Sequence, residues 1–179
     1  MKLDTPIKLL TVTPSEELLN FDFNSIPWDT YSQKMYSVLH SSSYNFTLAR
    51  TPFDKPSQDR KLLNTDSPIF SITMNEVQKL EQLYDATAKI VVFLKMKANS
   101  SNPVHSDVSN LFQISHRCYL PLKTNNQSYI EIENNNYQTP VGKWVEIDNL
   151  RPYRSINNSD TEERIHLMVD LVPNVLPAV

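Results

Sequence analysis

The length, composition and charge of the chain limit the kinds of protein it can be. Its 179 residues suit one domain, and 40% hydrophobic with 21% charged residues is ordinary for a soluble globular protein. A net charge of −3 gives no reason to expect nucleic acid or a membrane as a partner, and one cysteine excludes an internal disulfide. A single glycine excludes a phosphate-cradling loop and a dinucleotide fingerprint, hence P-loop kinases and Rossmann dehydrogenases. We expect a cytoplasmic single-domain protein that acts on a small molecule or peptide. The sequence does not indicate its oligomeric state.

The N-terminal region, residues 1–87, has an irregular pattern that predicts a mixed, partly helical support for the rest of the domain. Residues 15–21 are expected to begin a short helix. Apolar side chains near helical spacing predict another helix over 28–40. Residues 49–68 read as a long polar connection, which we expect to form a mobile flap over a substrate.

The best-defined helix follows this connection. Thr73 and Glu76 have the spacing of a capping box, so we expect the helix to begin there. Its apolar face, which predicts packing against a core, comprises Val77, Leu80, Leu83 and Tyr84.

After this helix the spacing of apolar residues changes from helical to alternating, which is typical of strands. Residues 88–97 form a β-branched, apolar run that predicts a strand buried on both faces. Further strand-like runs, separated in part by Asn-rich turns, lie at 112–122, 128–133, 143–148 and 164–172. Short strands at this spacing predict a sandwich or barrel rather than a parallel α/β sheet. The expected fold is therefore mainly β with flanking helices, and its core covers residues 88–172.

One histidine and one acid lie two residues apart, in the stretch "NPVHSDVSN". If this stretch is extended, His105 and Asp107 share one face, because side chains alternate along a strand. A histidine and a carboxylate are two of the three ligands in the facial triad of non-haem iron enzymes. Such pairs also occur in solvated loops, so the surrounding pattern decides between the two. The other histidines are His40, His116 and His166.

The surrounding pattern consists of three segments in a fixed order. They are "HSD" at 105–107, "HRCYLPL" at 116–122, and a stretch at 142–170 in which Asp148-Asn149, a Pro-led turn, Asn157, Arg164 and Asp170 follow one another. This order resembles the aspartyl/asparaginyl β-hydroxylase family of Fe(II)- and 2-oxoglutarate-dependent oxygenases. The resemblance implies a double-stranded β-helix, a jelly-roll, cupin-like barrel with the metal at its open mouth. It also implies a dioxygenase that hydroxylates an amino-acid side chain, either in a free amino acid or in an Asp/Asn-type residue of a peptide or protein.

The resemblance implies roles for single residues as well. His105 and Asp107 match the iron ligands. Arg164 matches the arginine that clamps the distal carboxylate of 2-oxoglutarate, for which a planar guanidinium fork is suited. Arg117 and Tyr119 match a pair that contacts the co-substrate near the metal, with Tyr119 in the place of a histidine.

The third metal position departs from the family pattern. The distal iron-binding histidine is expected four residues before Asn157, where this chain has Tyr153. Tyr153 either binds the metal as a phenolate, or fills space and leaves two protein ligands with the co-substrate and water. Alternatively, metal binding is lost and a jelly-roll binding protein remains. A cupin-like enzyme with another metal or reaction is a further alternative.

Three other residues have competing interpretations. His166 shares a strand face with Arg164, so it is either a third ligand or a pocket residue. His116 is expected to face away from Arg117, as a surface or outer-layer residue. For Arg164, the competing role is a surface salt bridge, with Asp160, Glu162 or Glu163 as partner.

Overall fold

The computed structural model describes residues 3–30 and 43–175, which fold mainly as β-strands. The helices are α1 (Glu16–Leu19), α2 (Pro68–Tyr84) and α3 (Asn110–Ile114). The strands are β1 (Ile7–Leu9), β2 (Asp29–Thr30), β3 (Ser43–Arg50), β4 (Lys61–Leu62), β5 (Ala86–Met96), β6 (Ser100–Ser101), β7 (His116–Lys123), β8 (Ser128–Ile132), β9 (Asn135–Tyr137), β10 (Val145–Ile147), β11 (Tyr153–Asn157) and β12 (Arg164–Pro173).

The strands form two antiparallel sheets with a cavity between them. The larger sheet has the order β1-β10-β7-β12-β5-β3-β2, with β4 paired to β3, and the smaller has the order β6-β11-β8-β9. This arrangement confirms the predicted mainly-β, jelly-roll fold with flanking helices. Strands β1 to β4 come from the N-terminal region, so residues 1–87 contribute to the larger sheet as well as to the helices.

Strand β5 lies inside the larger sheet, between β3 and β12, and is buried on both faces as its continuous apolar run predicts. Val91 and Phe93 face a core that also contains the buried side chains of α2. Ile90 and Val92, which alternate with them, face the cavity. The same strand therefore holds the helices on one side and shapes the site on the other.

Helix α2 is present, but the prediction that it begins at Thr73 is wrong. It begins at Pro68, after Ser67 as N-cap, because proline at the first helical position has a suitable φ and needs no N–H partner. Thr73 lies inside the helix and donates to the carbonyl of Ile69 at 2.8 Å. Glu76 instead accepts from the backbone N–H of Ser15, the N-cap of the confirmed short helix α1, at 3.1 Å.

Three further predicted segments differ from the structure in part or lie partly outside the described residues. The run 112–122 is not one strand: its first residues belong to α3, which buries Leu111 and Phe112, and β7 begins only at His116. All but the first three residues of the predicted helix over 28–40 lie outside the described residues, as does His40. The polar connection 49–68 contains the end of β3 and all of β4.

Turns are made with very little glycine. Gly142 adopts a φ of 70°, and five other described residues have positive φ: Asn64, Asp85, Asn99, Glu133 and Asn134. Glu133 and Asn134 are consecutive and join β8 to β9 as a two-residue hairpin turn, whose backbone requires positive φ at both positions. Asparagine and aspartate account for most of these positions because they tolerate the left-handed region better than other side chains.

Candidate active site

A cavity of about 730 Å³ lies between the two sheets. Inward-facing side chains of β5 and β12 form an apolar floor, and Phe53 and Phe112 stack beside it with ring centroids 5.0 Å apart. The structure brings all six residues predicted for the site to the wall of this one cavity: His105, Asp107, Arg117, Tyr119, Tyr153 and Arg164. Their individual roles remain predictions.

His105 and Asp107 lie in the loop between β6 and α3, which is fastened to the smaller sheet. His105 and Tyr153 exchange two backbone hydrogen bonds, of 3.0 and 2.8 Å, and the N–H of Asp107 donates to the carbonyl of Asn149 at 2.9 Å. The Nδ1 atom of His105 is 2.9 Å from the carbonyl oxygen of Pro103. This contact favours the tautomer with the proton on Nδ1, in which Nε2 carries the lone pair that a metal needs.

Arg117, on β7, is held by carboxylates on two sides. Its Nε and Nη2 donate to the two oxygens of Asp170, both at 2.8 Å, in a bidentate pair that crosses from β7 to β12. Its Nη1 donates to Oδ2 of Asp107 and, at 2.7 Å, to the hydroxyl of Tyr153. The guanidinium also lies over the ring of Phe112, 4.6 Å from its centroid. Arg117 thus links β12 to the loop that carries Asp107.

Burial and charge together set the protonation of this cluster. Burial disfavours the charged guanidinium of Arg117, but Asp107 and Asp170 outweigh it and raise the pKa of Arg117 well above its usual value. Burial raises the pKa of the Tyr153 hydroxyl well above its usual range, against the opposing effect of Arg117. Tyr153 is therefore a neutral phenol, which accepts from Arg117 and donates to Oδ2 of Asp107 at 2.9 Å.

Arg164, at the start of β12, is a buried cation that pairs with no carboxylate of residues 3–30 and 43–175. Its Nη2 donates to the hydroxyl of Ser155 at 2.9 Å and its Nη1 reaches the carbonyl of Tyr129 at 3.5 Å, while Nε has no hydrogen-bond partner among the described residues. Burial lowers the pKa of Arg164 to about 10. The alternative of a surface salt bridge is wrong, since Arg164 is only 3% exposed and Glu163 pairs with Lys95.

Tyr119 and His166 lie near Arg164 but differ in exposure to the cavity. Tyr119 lines the cavity, and its ring meets that of His166 edge-on, with centroids 6.0 Å apart. His166 is fully buried, and neither ring nitrogen has a hydrogen-bond partner in the described part of the chain. Burial lowers its pKa well below the usual range, with Arg164 adding to the effect. His166 is therefore a neutral residue beneath the site.

His116 faces the opposite side of β7, as its position next to Arg117 predicts. Its Nδ1 is 2.6 Å from a carboxylate oxygen of Glu146, and its ring lies 4.2 Å from that of Tyr84 on α2. Tyr84 donates to the other oxygen of Glu146 at 2.8 Å. This cluster joins α2 to the outer face of the larger sheet and takes no part in the cavity.

Three residues to which sequence reasoning gave no role contribute to the site. Asp170 orients Arg117, Asn149 approaches Asp107 with its side-chain amide at 3.4 Å, and Ser155 binds Arg164. Asp170 carried a usable signal, because it lies on the same alternating face of β12 as Arg164. Asn149 belongs to the ordered motif that carries the resemblance, whereas Ser155 carried no signal.

The donor groups of the cavity allow a test of what it can hold. The described residues contain no group of three or more His, Cys, Asp or Glu side chains that could hold a metal ion. His105 and Asp107 form a two-residue set of one imidazole and one carboxylate, which suits iron when other ligands come from the co-substrate and water. Arg164 offers a guanidinium to a carboxylate. The residues present thus fit a metal with two protein ligands and an oxo acid.

Comparison with solved structures identifies the fold. HygX from Streptomyces hygroscopicus, with nickel and 2-oxoglutarate bound, aligns with a TM-score of 0.62 at 8% identity over 95% of this chain and 84% of that one. An oxidoreductase of the 2OG-Fe(II) oxygenase family from Burkholderia pseudomallei gives 0.61 at 10% identity over 83% and 73%. The viral collagen prolyl hydroxylase vCPH from Paramecium Bursaria Chlorella virus-1, in its 2OG complex, gives 0.58 at 6% over 95% and 97%. The fold is that of the jelly-roll 2-oxoglutarate oxygenases.

A match between a family model and the sequence identifies the family of the chain. The model of the aspartyl/asparaginyl β-hydroxylase family matches residues 14–173, and the chain belongs to this family. The match extends well beyond the segments that carried the resemblance, and it makes the protein a 2-oxoglutarate-dependent, Fe(II)-type hydroxylase by class. A search of curated proteins returned no match. None of the helices in the described ranges is both long and apolar enough to cross a membrane.

Proposed function

We propose that the protein hydroxylates an amino-acid side chain, in a free amino acid or in an Asp/Asn-type residue of a peptide or protein. The reaction consumes 2-oxoglutarate and O₂ and yields succinate, CO₂ and an alcohol from the substrate C–H bond. Bound iron(II) supplies the activation of O₂ for this chemistry. The chain's own residues bind and orient the participants.

The distribution of charge in the cavity is the observation that supports this proposal. Arg164 and Asp170 begin and end an inward-facing row on β12, about 20 Å apart at 3.3 Å per residue. The Arg164 end has one positive charge and no carboxylate among the described residues. Near Asp170, two carboxylates, Asp170 and Asp107, bind the guanidinium of Arg117, and Arg50 and Asp54 also line the cavity. The charges therefore favour an anion near Arg164 and a cation near Asp107 and Asp170.

Four of the six predicted residues receive a direct binding role in this arrangement. His105 and Asp107 would hold the metal through Nε2 and a carboxylate oxygen. Arg164 would bind the distal carboxylate of 2-oxoglutarate, with Ser155 holding the guanidinium in place. Tyr119, between the two ends, would contact the body of the co-substrate.

The shape of the cavity supports a small substrate beside the co-substrate. A volume of about 730 Å³ exceeds what 2-oxoglutarate fills, and ligand cavities of this size hold a molecule of about drug size. Phe53 and Phe112 offer an apolar wall, and Thr51 and Asn102 offer polar groups beside it. The connection 49–68 supplies two of these four residues, which supports its expected role as a cover for the substrate.

The test is succinate formation from 2-oxoglutarate with iron(II), O₂ and a panel of free amino acids and Asp- or Asn-containing peptides. His105→Gln is expected to abolish turnover, because it removes a metal ligand. His116→Gln is the matched control: it changes a histidine on the other face of the larger sheet and should keep turnover within about threefold. Equal loss in both variants would contradict the assignment of His105.

One observation favours a second candidate, a binding protein that has lost a complete metal site. Tyr153 occupies the third ligand position of the family, and its hydroxyl is already bonded to Asp107 and Arg117. This candidate predicts 2-oxoglutarate binding through Arg164 that does not depend on added metal, with no succinate formed. The same assay, combined with metal content after anaerobic loading, separates the two candidates.

A further inference from the structure

The carboxylate of Asp107 is bound asymmetrically. Its Oδ2 atom receives all the hydrogen bonds, from Nη1 of Arg117, from the hydroxyl of Tyr153 at 2.9 Å and from the amide of Asn149 at 3.4 Å. Its Oδ1 atom receives none from the residues that the structure describes. One oxygen is therefore anchored to the protein, and the other is available to a cation.

Tyr153 is fixed in this position from both ends. Its backbone is paired with His105, and its ring lies against the imidazole with centroids 4.6 Å apart. Its hydroxyl donates to Asp107 and accepts from Arg117, which Asp170 holds in turn. A hydroxyl engaged in this way is directed at the anchored oxygen of the ligand rather than at a metal.

We infer that the metal centre has two protein ligands, His105 and Asp107, and that Tyr153 and Arg117 are positioning residues that hold Asp107 as a one-oxygen ligand. This inference rests on the proposed function. In this arrangement Tyr153, at the family's third ligand position, does not bind the metal but orients the ligand Asp107. The arrangement resembles the general use of hydrogen bonds from outer groups to orient metal ligands.

The experiment uses the full chain, iron loaded anaerobically with 2-oxoglutarate, and absorption spectra before and after oxidation to iron(III). Iron(III) bound to a phenolate has a charge-transfer band in the visible, which a histidine–carboxylate centre lacks. We expect wild-type protein to bind iron without this band. Tyr153→Phe should bind iron about 10-fold more weakly, because the anchor of Asp107 is reduced, with the spectrum unchanged in form.

Tyr84→Phe is the matched control, because Tyr84 also donates to a buried carboxylate, that of Glu146, but on the far side of the sheet. Its iron affinity should equal that of wild type. A phenolate band in the oxidised wild type that Tyr153→Phe removes would overturn the inference and leave the proposed function standing. Failure of wild-type protein to take up iron would overturn both. If Tyr153→Phe folds poorly, a phenolate band in the oxidised wild type still overturns the inference, because Tyr153 is the tyrosine in contact with both Asp107 and His105.

Discussion

Replacing Arg164 with methionine should raise the free energy of unfolding of the unliganded protein. The same change should weaken the binding of 2-oxoglutarate. Burial lowers the pKa of Arg164 from its usual value to about 10, which corresponds to about 3 kcal/mol against the charged form in the folded state. Since the folded-state pKa is lowered, this penalty is complete at neutral pH and is relieved only as pH rises above about 10 towards the usual pKa of arginine.

Methionine removes this penalty and fills similar space with apolar atoms. The change also removes the hydrogen bond to Ser155, which is worth about 1 kcal/mol. The net expectation is a gain of about 1–2 kcal/mol in the free energy of unfolding. Affinity for 2-oxoglutarate should fall by at least about 30-fold, because the buried partner of its distal carboxylate is lost.

Urea unfolding at pH 7 and calorimetric titration with 2-oxoglutarate measure the two effects separately. Arg154→Met is the control, because Arg154 already pairs with both oxygens of Glu131, at 2.8 and 2.9 Å, near the surface. That variant should lose up to about 1 kcal/mol of stability and keep its affinity. An Arg164→Met protein that is less stable than wild type, or that binds 2-oxoglutarate within about threefold of wild type, would refute the reasoning.

Two further predictions concern stability. Asp170→Asn breaks the buried bidentate pair with Arg117 and should cost about 3–5 kcal/mol, measured by urea unfolding, with the low end expected because Asp107 remains as a partner. Gly142→Ala should cost about 1 kcal/mol in the same measurement, since φ is +70° there, whereas Gly142→Asn should cost less. Equal effects of alanine and asparagine at this position would argue against backbone strain as the cause.

Local patterns in the sequence predict the strands better than the ends of the helices. The run at 88–97 is unambiguous because apolar and β-branched side chains occupy both faces without interruption. The start of α2 is ambiguous, because Thr73 and Glu76 mimic a cap while Pro68 supplies a real helix start five residues earlier. Glu76 meets Ser15 across the fold, and no local pattern shows that contact.

In the candidate site, the presence of a residue is predictable from the sequence, but its bonding partners are not. Arg164 is predictable because it stands in a fixed order with the other motif residues. The state of Arg117 is not predictable, because its ion pair with Asp170 depends on β7 and β12 lying side by side in one register. A sequence shows that a guanidinium is present. Only the pairing of strands shows that Arg117 is already bound to carboxylates, whereas Arg164 contacts none in the described part of the chain.

The buried carboxylate of Asp148 binds segments that lie far apart in the sequence and are therefore synthesised at different times. It accepts from the backbone N–H of Leu3, across 145 residues, and from Nε of Arg151 in the turn that leads to Tyr153. Its own N–H donates to the carbonyl of Pro6 at 3.0 Å. Contacts between such distant segments slow folding, because the loop between them must close first. During synthesis β1 therefore pairs only after β10 has been made, and the turn that leads to Tyr153 is fixed late.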